Sequence, residues 1–131
     1  MTDPTPASSA AEFHVLVLAA GASTRLGSPK QLARVRGRPA LQIVVETATA
    51  VAGQSVTVVV GAHAGDIMPM LSRKGVSTVV NRRWDEGLGA SLRAGIAALP
   101  SACEAVLVVL GDQVALTPDD LRRLSAAWKG Q

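Results

Sequence analysis

The stretch from Leu18 to Leu32, LAAGASTRLGSPKQL, changes abruptly from apolar residues to small residues, hydroxyls and cations. Its small residues at 19–21 would let a ligand approach the main chain, and Ser23 adds a hydroxyl group. Arg25 offers a planar guanidinium for phosphate oxygens, and Lys30 offers a mobile point charge. This combination predicts a triphosphate-binding loop. The other interpretation of the same residues is an ordinary strand-to-helix loop whose cations are solvated.

The spacing of this segment differs from that of the two common phosphate-binding loops. Gly21 and Gly27 lack the G-x-G-x-x-G spacing of a dinucleotide-binding turn. Gly27 also precedes Ser-Pro-Lys, where a P-loop would continue with Lys and then Ser or Thr. A phosphate site here must therefore be of another type.

A second candidate lies in the segment LGDQV, at residues 110–114, directly after an apolar run. A carboxylate at the end of a parallel strand can hold Mg²⁺ against the phosphates of a nucleotide. Asp112 is the residue that could do so. In the alternative interpretation, Gly111 and Asp112 only form the turn that ends the strand.

A third candidate is NRRWDEGLGASLRAG, at residues 81–95, where glycines and polar residues precede a helical pattern. Ser91 lies near the predicted helix N-terminus, whose free N–H groups suit polar ligands. A role for Ser91 as the helix cap is the alternative, and Trp84 is predicted to anchor the loop by hydrophobic contacts. Gly61, which ends an apolar run in VVVG, is predicted to border the same pocket.

The elements that must position these segments follow from the apolar pattern. Short, valine-rich apolar runs predict strands buried on both faces at residues 13–18, 56–60 and 105–110, and residues 75–80 are a further strand candidate. Helical patterns lie between and after them: Pro39–Ala52, a short one around 66–71 whose start Pro69 is expected to limit, one that holds Leu92, Ile96 and Leu99, and one capped by Thr117. This alternation predicts an α/β fold with a mainly parallel sheet covered on both faces. Ligands of such sheets bind at the carboxyl ends of the strands, where the first two motifs lie.

Composition excludes several classes of function. The chain has no Tyr, one Phe and two Trp, so it is poorly equipped to stack nucleic-acid bases, although its net charge of +3 suits an anionic ligand. The single cysteine, Cys103, cannot form an internal disulfide, which fits a reducing, cytoplasmic compartment. With only two histidines besides, no Cys/His metal cluster exists, and His14 is predicted to be a core or edge histidine with satisfied hydrogen bonds and not a ligand. No apolar run is long enough to cross a membrane.

The chain is predicted to form one domain. Residues 1–12 have neither a cationic start nor an apolar core, so we expect a flexible tail rather than a signal peptide. Residues 13–131 are then the globular domain, with no linker that marks a second one.

All three motifs resemble those of nucleotidyltransferases similar to the molybdenum cofactor cytidylyltransferase. The first fills every fixed position of L-A-A-G-x-S-x-R-x-G-x-x-K-Q-L, and the third resembles N-x-x-W-x-E-G-x-x-x-S-L-x-x-G. The second matches GDQP except that Val114 stands where the family has proline. Relatives that use GTP tend to carry LAGG, so Ala20 and the segment PKQL favour CTP as the nucleotide.

The resemblance implies a Rossmann-like three-layer sandwich of the nucleotide-diphospho-sugar transferase type. It implies catalysis by Arg25, Lys30 and Asp112, with Asp112 as the ligand of a Mg²⁺ cofactor. Nucleotide binding is predicted for Leu18, Ala19, Ala20, Gly21, Ser23, Arg25, Lys30, Gly61 and Ser91. The implied reaction transfers CMP from CTP to the phosphate of the molybdopterin cofactor and releases pyrophosphate.

The family's domain continues past the point where this sequence ends, at Gln131, so we expect the C-terminal strands to be missing. One alternative is therefore a nucleotide-binding remnant or regulatory module without catalysis, whose exposed sheet edge pairs with a molybdoenzyme or a second copy of the chain. Another is a nucleotidyltransferase that acts on a sugar phosphate, because the fold does not fix the acceptor.

Overall fold

The computed structural model describes residues 13–25 and 27–129, except for the side chain of Arg25. The strands in this part are β1 (Phe13–Ala19), β2 (Thr24–Arg25), β3 (Ser28–Pro29), β4 (Arg34–Val35), β5 (Arg38–Pro39), β6 (Val56–Val60), β7 (Ser77–Val80) and β8 (Ala105–Leu110). The α-helices are α1 (Ala40–Ala52), α2 (Ala64–Ser72), α3 (Leu88–Ala97) and α4 (Pro118–Lys129). Short 3-10 helices cover Lys30–Leu32 and Trp84–Glu86. The predicted tail, residues 1–12, lies outside the described residues.

The four longer strands form one parallel sheet in the order β7-β6-β1-β8. Within the described residues, α1, α2 and α4 pack against one face of the sheet, and α3 packs against the other. Because β1 and β6 have helices on both faces, every residue in them is buried, and their sequences are apolar except for His14 and Thr57, which pair with each other. The predicted α/β class, with a parallel sheet between helical layers, is confirmed. No helix in this part of the chain is long and apolar enough to span a membrane.

The prediction that β8 is buried is wrong. β8 pairs with β1 on one side, and within the described residues no strand pairs with its other side. The α3 layer lies over β6, β1 and β7 and leaves one face of β8 open, so Val108 is 45% exposed and Leu110 is 38% exposed. An apolar run alone cannot distinguish a central strand from an edge strand of this kind.

Three helix boundaries also differ from the prediction. Pro39 is not the first residue of α1 but precedes it, because its ψ of 138° is extended and it pairs with Arg34 across a short hairpin. Pro69 does not limit the start of α2 but lies inside that helix. Leu99 lies beyond the end of α3. The predicted cap of α4 is present, because Thr117 and Asp120 exchange hydrogen bonds between side chain and backbone.

Gly95 brings α3 unusually close to the sheet. A Cβ atom at this position would lie 2.6 Å from Cδ1 of Leu16 and 2.9 Å from Cγ2 of Val59. Both neighbours are buried branched side chains, so they cannot move aside freely. A larger residue here would therefore lift the helix away from β1 and β6.

We expect the substitution Gly95→Ala to lower the free energy of unfolding by about 1–3 kcal/mol, because the added methyl group overpacks the helix–sheet contact. Gly89→Ala, in the same helix, is the matched control: its Cβ would meet only Nη1 of Arg93, at 3.5 Å. The control should leave stability unchanged or raise it by up to about 1 kcal/mol, since alanine favours helix. Urea denaturation measures both, and equal effects of the two substitutions would contradict the packing argument.

His14 is a core residue, as predicted, but only one of its ring nitrogens has a partner. Nε2 lies 2.9 Å from Oγ1 of Thr57, and Nδ1 is buried without a hydrogen bond in the described structure. Burial lowers the pKa of His14 below its ordinary value of 6.5. The unfolded chain therefore binds a proton at a higher pH than the folded chain does.

It follows that His14 destabilises the fold as the pH falls through 6.5, because the unfolded state then binds more protons than the folded state. We therefore compare the free energies of unfolding of the wild type and His14→Gln. As the pH is lowered from about 7.5 to about 5.5, we expect the wild type to lose stability relative to the variant. Urea denaturation at both pH values tests this. The subtraction removes the contributions of other titrating groups, so a difference that does not change with pH would contradict the assignment.

Candidate active site

A cleft opens where the carboxyl ends of β1 and β8 lie side by side. The chain builds β6 and β7 on one side of β1 and then crosses the sheet to build β8 on the other side. Loops that follow β1 and β8 therefore diverge, and such a reversal of strand order is where parallel sheets bind ligands. The cleft has a volume of about 260 Å³, and the residues that line it are Leu18, Ala19, Ala20, Gly21, Ser23, Lys30, Gln31, Trp84, Gly87, Leu88, Ser91, Leu110, Gly111 and Asp112.

The loop after β1 returns to the cleft through a short hairpin that the sequence analysis did not predict. β2 and β3 pair antiparallel, and the backbone N–H of Lys30 donates to the carbonyl oxygen of Ser23 at 2.9 Å. The 3-10 helix that begins at Lys30 is thereby held beside the end of β1. At Gly21 an added Cβ would meet no described protein atom within 4 Å, so its missing side chain leaves space open to a ligand.

Lys30 and Asp112, which come from different motifs, form an ion pair in the cleft. Nζ of Lys30 lies 3.1 Å from Oδ2 of Asp112, and both side chains are about half exposed. The turn that carries Asp112 is fixed to β1, since the N–H of Gly111 donates to the carbonyl oxygen of Leu18 at 2.9 Å. It is closed by Gln113, whose Oε1 accepts from the N–H of Leu110 at 2.7 Å. A cation and a carboxylate are thus held within contact distance of each other at the ends of adjacent strands.

Gln31 is a site residue that the sequence analysis missed. Its side chain is buried, and Nε2 donates to the carbonyl oxygens of Ala19, at 3.1 Å, and Gly21, at 3.0 Å. Two carbonyl acceptors fix the orientation of the amide, which leaves Oε1 buried without a partner in the described structure. Gln31 therefore holds the shape of the loop after β1. The only signal in the sequence is its position inside KQL, beside a candidate cation.

We expect the substitution Gln31→Met to lower the free energy of unfolding by about 1–3 kcal/mol, because it leaves two carbonyl oxygens of the loop without a donor. Gln42→Met is a matched control: Gln42 donates only to Glu46, which also pairs with Lys74 at 2.7 Å. The control should change stability by no more than about 0.5 kcal/mol. Equal losses in the two variants, measured by urea denaturation, would show that Gln31 does not have this role.

The opposite wall of the cleft is formed by the segment between β7 and α3. Trp84 is 38% exposed and lines the cleft, and its Cβ packs against Gly61, where an added Cβ would lie 2.8 Å away. The same added atom would lie 2.9 Å from Cβ of Ala20, so Gly61 is the point where the loops after β1, β6 and β7 meet. This contact agrees with the predicted anchoring role of Trp84. Gly61 itself is not among the residues that line the cleft, and its binding of nucleotide stays a prediction.

The remaining predicted site residues lie as follows. The structure brings together Leu18, Ala19, Ala20, Gly21, Ser23, Lys30, Ser91 and Asp112 around the cleft. Arg25 lies in β2, and its side chain is outside the described part of the chain. The interpretation of Ser91 as the cap of α3 is wrong: Gly87 occupies the N-cap, so the helix begins earlier and Ser91 is a buried residue within its first turns.

The one carboxylate that lines the cleft in the described residues, that of Asp112, fits a metal that arrives with a ligand. Among residues 13–25 and 27–129, no group of three or more His, Cys, Asp or Glu side chains could hold an ion by itself. Mg²⁺ is often bound by one or two carboxylates together with the phosphates of a substrate. Asp112 can supply one such carboxylate, so the donor set suits a metal–nucleotide complex and not a preformed metal site.

Comparison with known families identifies the chain. Residues 15–131 match the MobA-like NTP transferase domain. The chain belongs to this family. Its membership agrees with the resemblance found in the three motifs, and it extends over nearly all of the chain.

Individual relatives of this MobA-like domain differ in name and are longer. The chain is 34% identical over 134 residues to the bifunctional protein GlmU of Sorangium cellulosum, covering 96% of this chain and 27% of that protein. It is 36% identical over 110 residues to nicotine blue oxidoreductase of Paenarthrobacter nicotinovorans, covering 83% and 53%. The crystal structure of Rv0371c from Mycobacterium tuberculosis in complex with manganese aligns with a TM-score of 0.75 and 28% identity, covering 88% and 58%. The chain thus spans between about a quarter and three fifths of the lengths of these relatives.

Proposed function

We propose that this MobA-like domain transfers CMP from CTP to the phosphate of the molybdopterin cofactor, with release of pyrophosphate. The observation that carries the proposal is the contact between Lys30 and Asp112, 3.1 Å apart where β1 and β8 end side by side. A triphosphate needs cations for its negative charge, and its metal ion needs a carboxylate. This cleft offers both beside a loop of small residues.

The reaction requires little covalent chemistry from the protein. An oxygen of the acceptor phosphate attacks the α-phosphorus of CTP, the bond between the α-phosphorus and its bridging oxygen breaks, and pyrophosphate leaves with that oxygen. Two anions must approach each other, so the protein contributes charge neutralisation and orientation. In this proposal Lys30 and Arg25 bind phosphate oxygens and stabilise the charge of the transition state. Gln31 keeps the main chain of residues 19–21 in the shape that receives the nucleotide.

We propose Mg²⁺ as the metal and Asp112 as its protein ligand. When bound, Mg²⁺ would neutralise phosphate charge and help to orient the α-phosphorus. The manganese complex of Rv0371c supports the use of a divalent cation in a structure of this fold. Lys30 pairs with this carboxylate, and we infer that the nucleotide and its metal compete for the two side chains, with Lys30 passing to the phosphates.

A sugar phosphate is the second candidate for the acceptor. Family membership leaves the acceptor open, because relatives with names as different as GlmU and nicotine blue oxidoreductase share 34% and 36% identity with this chain. The residues assigned above account for the nucleotide and its metal, whereas no described residue has been assigned to the acceptor.

We expect the 131-residue chain to bind CTP more tightly than GTP or ATP in the presence of Mg²⁺, as measured by isothermal titration calorimetry. Lys30→Met should raise the Kd for CTP about 10-fold or more, because a charge-assisted hydrogen bond to phosphate is lost. Asp112→Asn should weaken binding with Mg²⁺ but not without it, since a carboxylate without a metal repels the triphosphate. Exposed residues of α4 provide charge-matched controls, Lys129→Met and Asp119→Asn, which should bind as the wild type does.

The outcomes separate the candidate functions. Equal effects of Asp112→Asn with and without Mg²⁺ would contradict the metal role of Asp112. Pyrophosphate release from CTP with molybdopterin and not with glucose 1-phosphate would support the proposed acceptor, and the reverse pattern would support a sugar phosphate. Binding of CTP without turnover on either acceptor would favour a nucleotide-binding module.

A further inference from the structure

A chain of hydrogen bonds connects the loop after β7 to the cleft. The backbone N–H of Arg83 donates to Oδ1 of Asn81 at 2.9 Å, and Nδ2 of Asn81 donates to Oγ of Ser91 at 3.0 Å. Asn81 is 5% exposed and Ser91 is 3% exposed, so the bond between their side chains is buried, whereas the bond from Arg83 is partly buried. The backbone N–H of Asn81 also donates to the carbonyl oxygen of Val60 at 2.7 Å, which fixes Asn81 to the end of β6.

The direction of each bond in this chain is determined. The N–H of Arg83 can only donate, so it requires the amide oxygen of Asn81 and turns the amide nitrogen towards Ser91. An amide nitrogen has no free lone pair, so the oxygen of Ser91 must be the acceptor. The hydroxyl proton of Ser91 is therefore not used in this contact, and no other hydrogen bond among residues 13–25 and 27–129 uses it.

Ser91 lines the cleft, so this proton is available to a ligand there. We propose that Asn81 is a positioning residue that makes Ser91 a hydrogen-bond donor towards the nucleobase, whose matching group is a carbonyl oxygen or an unprotonated ring nitrogen. The inference rests on the proposed function, because it takes the ligand of the cleft to be a nucleotide. Cytosine carries both kinds of acceptor next to each other, at O2 and N3.

A purely structural role for the same pair would be to join β7 to α3. That role depends on the presence of a hydrogen bond and not on its direction, whereas the proposed role depends on direction. Asn81→Asp distinguishes them. A carboxylate still accepts from Arg83, but its second oxygen accepts the hydroxyl proton of Ser91, so the proton is withdrawn from the ligand.

The test is a double-mutant cycle read by the Kd for CTP with Mg²⁺, measured by isothermal titration calorimetry. We expect Ser91→Ala and Asn81→Asp each to raise the Kd about 3- to 10-fold, the effect of one lost hydrogen bond. The double variant should bind CTP as Ser91→Ala alone does, because residue 81 acts on the ligand only by orienting the hydroxyl proton of Ser91, which that variant lacks. Losses that multiply in the double variant would overturn the inference, as would a Ser91→Ala variant with unchanged affinity.

Asn81→Asp buries a negative charge, so thermal unfolding is recorded for every variant. Asn81→Ala adds no charge and completes a second cycle, in which we again expect no loss beyond that of Ser91→Ala. A wild-type chain that binds none of CTP, GTP and ATP would overturn the proposed function and this inference together. A wild type that binds CTP, with independent effects at residues 81 and 91, would overturn only the role of Asn81.

Discussion

The structure depends on the complete burial of β1. This strand is paired along both edges and covered on both faces, and its residues from Val15 to Val17 have no exposed surface. Exchanging any of them for a polar residue would leave a buried polar group without a partner. Its carboxyl end is consequently the most firmly fixed point at the top of the sheet. The first motif starts there, the second is fixed to it by the N–H of Gly111, which donates to Leu18, and the loop after β6 is fixed to it by the N–H of Ala62, which donates to Ala20.

The loops that carry the site are held in place by hydrogen bonds to the carboxyl end of β1 and to the loop that follows it. Gln31 ties the 3-10 helix to the loop after β1, and the turn at Asp112 is tied to β1 by the backbone of Gly111. His63 adds a further connection, because its Nε2 lies 3.0 Å from the carbonyl oxygen of Ala22. The side chains that face the cleft can be mobile and charged because the backbone beneath them is held by such bonds. A fixed backbone with charged side chains above it suits a ligand whose own groups react, because the protein then needs only to position that ligand and neutralise its charge.

Much of the architecture could be predicted from the sequence because a strand with two covered faces has a mainly apolar composition. FHVLVL and VTVVV are such strands, and both are buried throughout. AVLVVL has the same composition, yet its exposure depends on where α3 lies, which is a property of tertiary packing and not of residues 105–110. The short hairpins were also beyond prediction, since two-residue strands carry no periodicity.

The site was predictable where it consists of charged residues at fixed spacings. Lys30 and Asp112 were expected at one sheet edge, and the structure brings them into contact. Gln31 and the link from Asn81 to Ser91 were not identified as structural bonds, because a buried amide reveals its role only through the groups that it meets after folding. Ser91 was expected near the helix start, but the first residue of α3 depends on the backbone at Gly87, where φ is 101°.

The two sides of the cleft are supported by different numbers of neighbouring strands within the described residues. The side that carries Lys30 follows β1, which pairs with a strand along each edge. The side that carries Asp112 follows β8, which pairs along one edge only within the described residues. Strands with open faces and unpaired edges yield to small fluctuations at lower energy than buried ones do. A ligand that contacts both sides would therefore restrain the position of Asp112 relative to that of Lys30. The ion pair between Lys30 and Asp112 already joins the two sides, but it is a weak restraint because both charges are about half exposed.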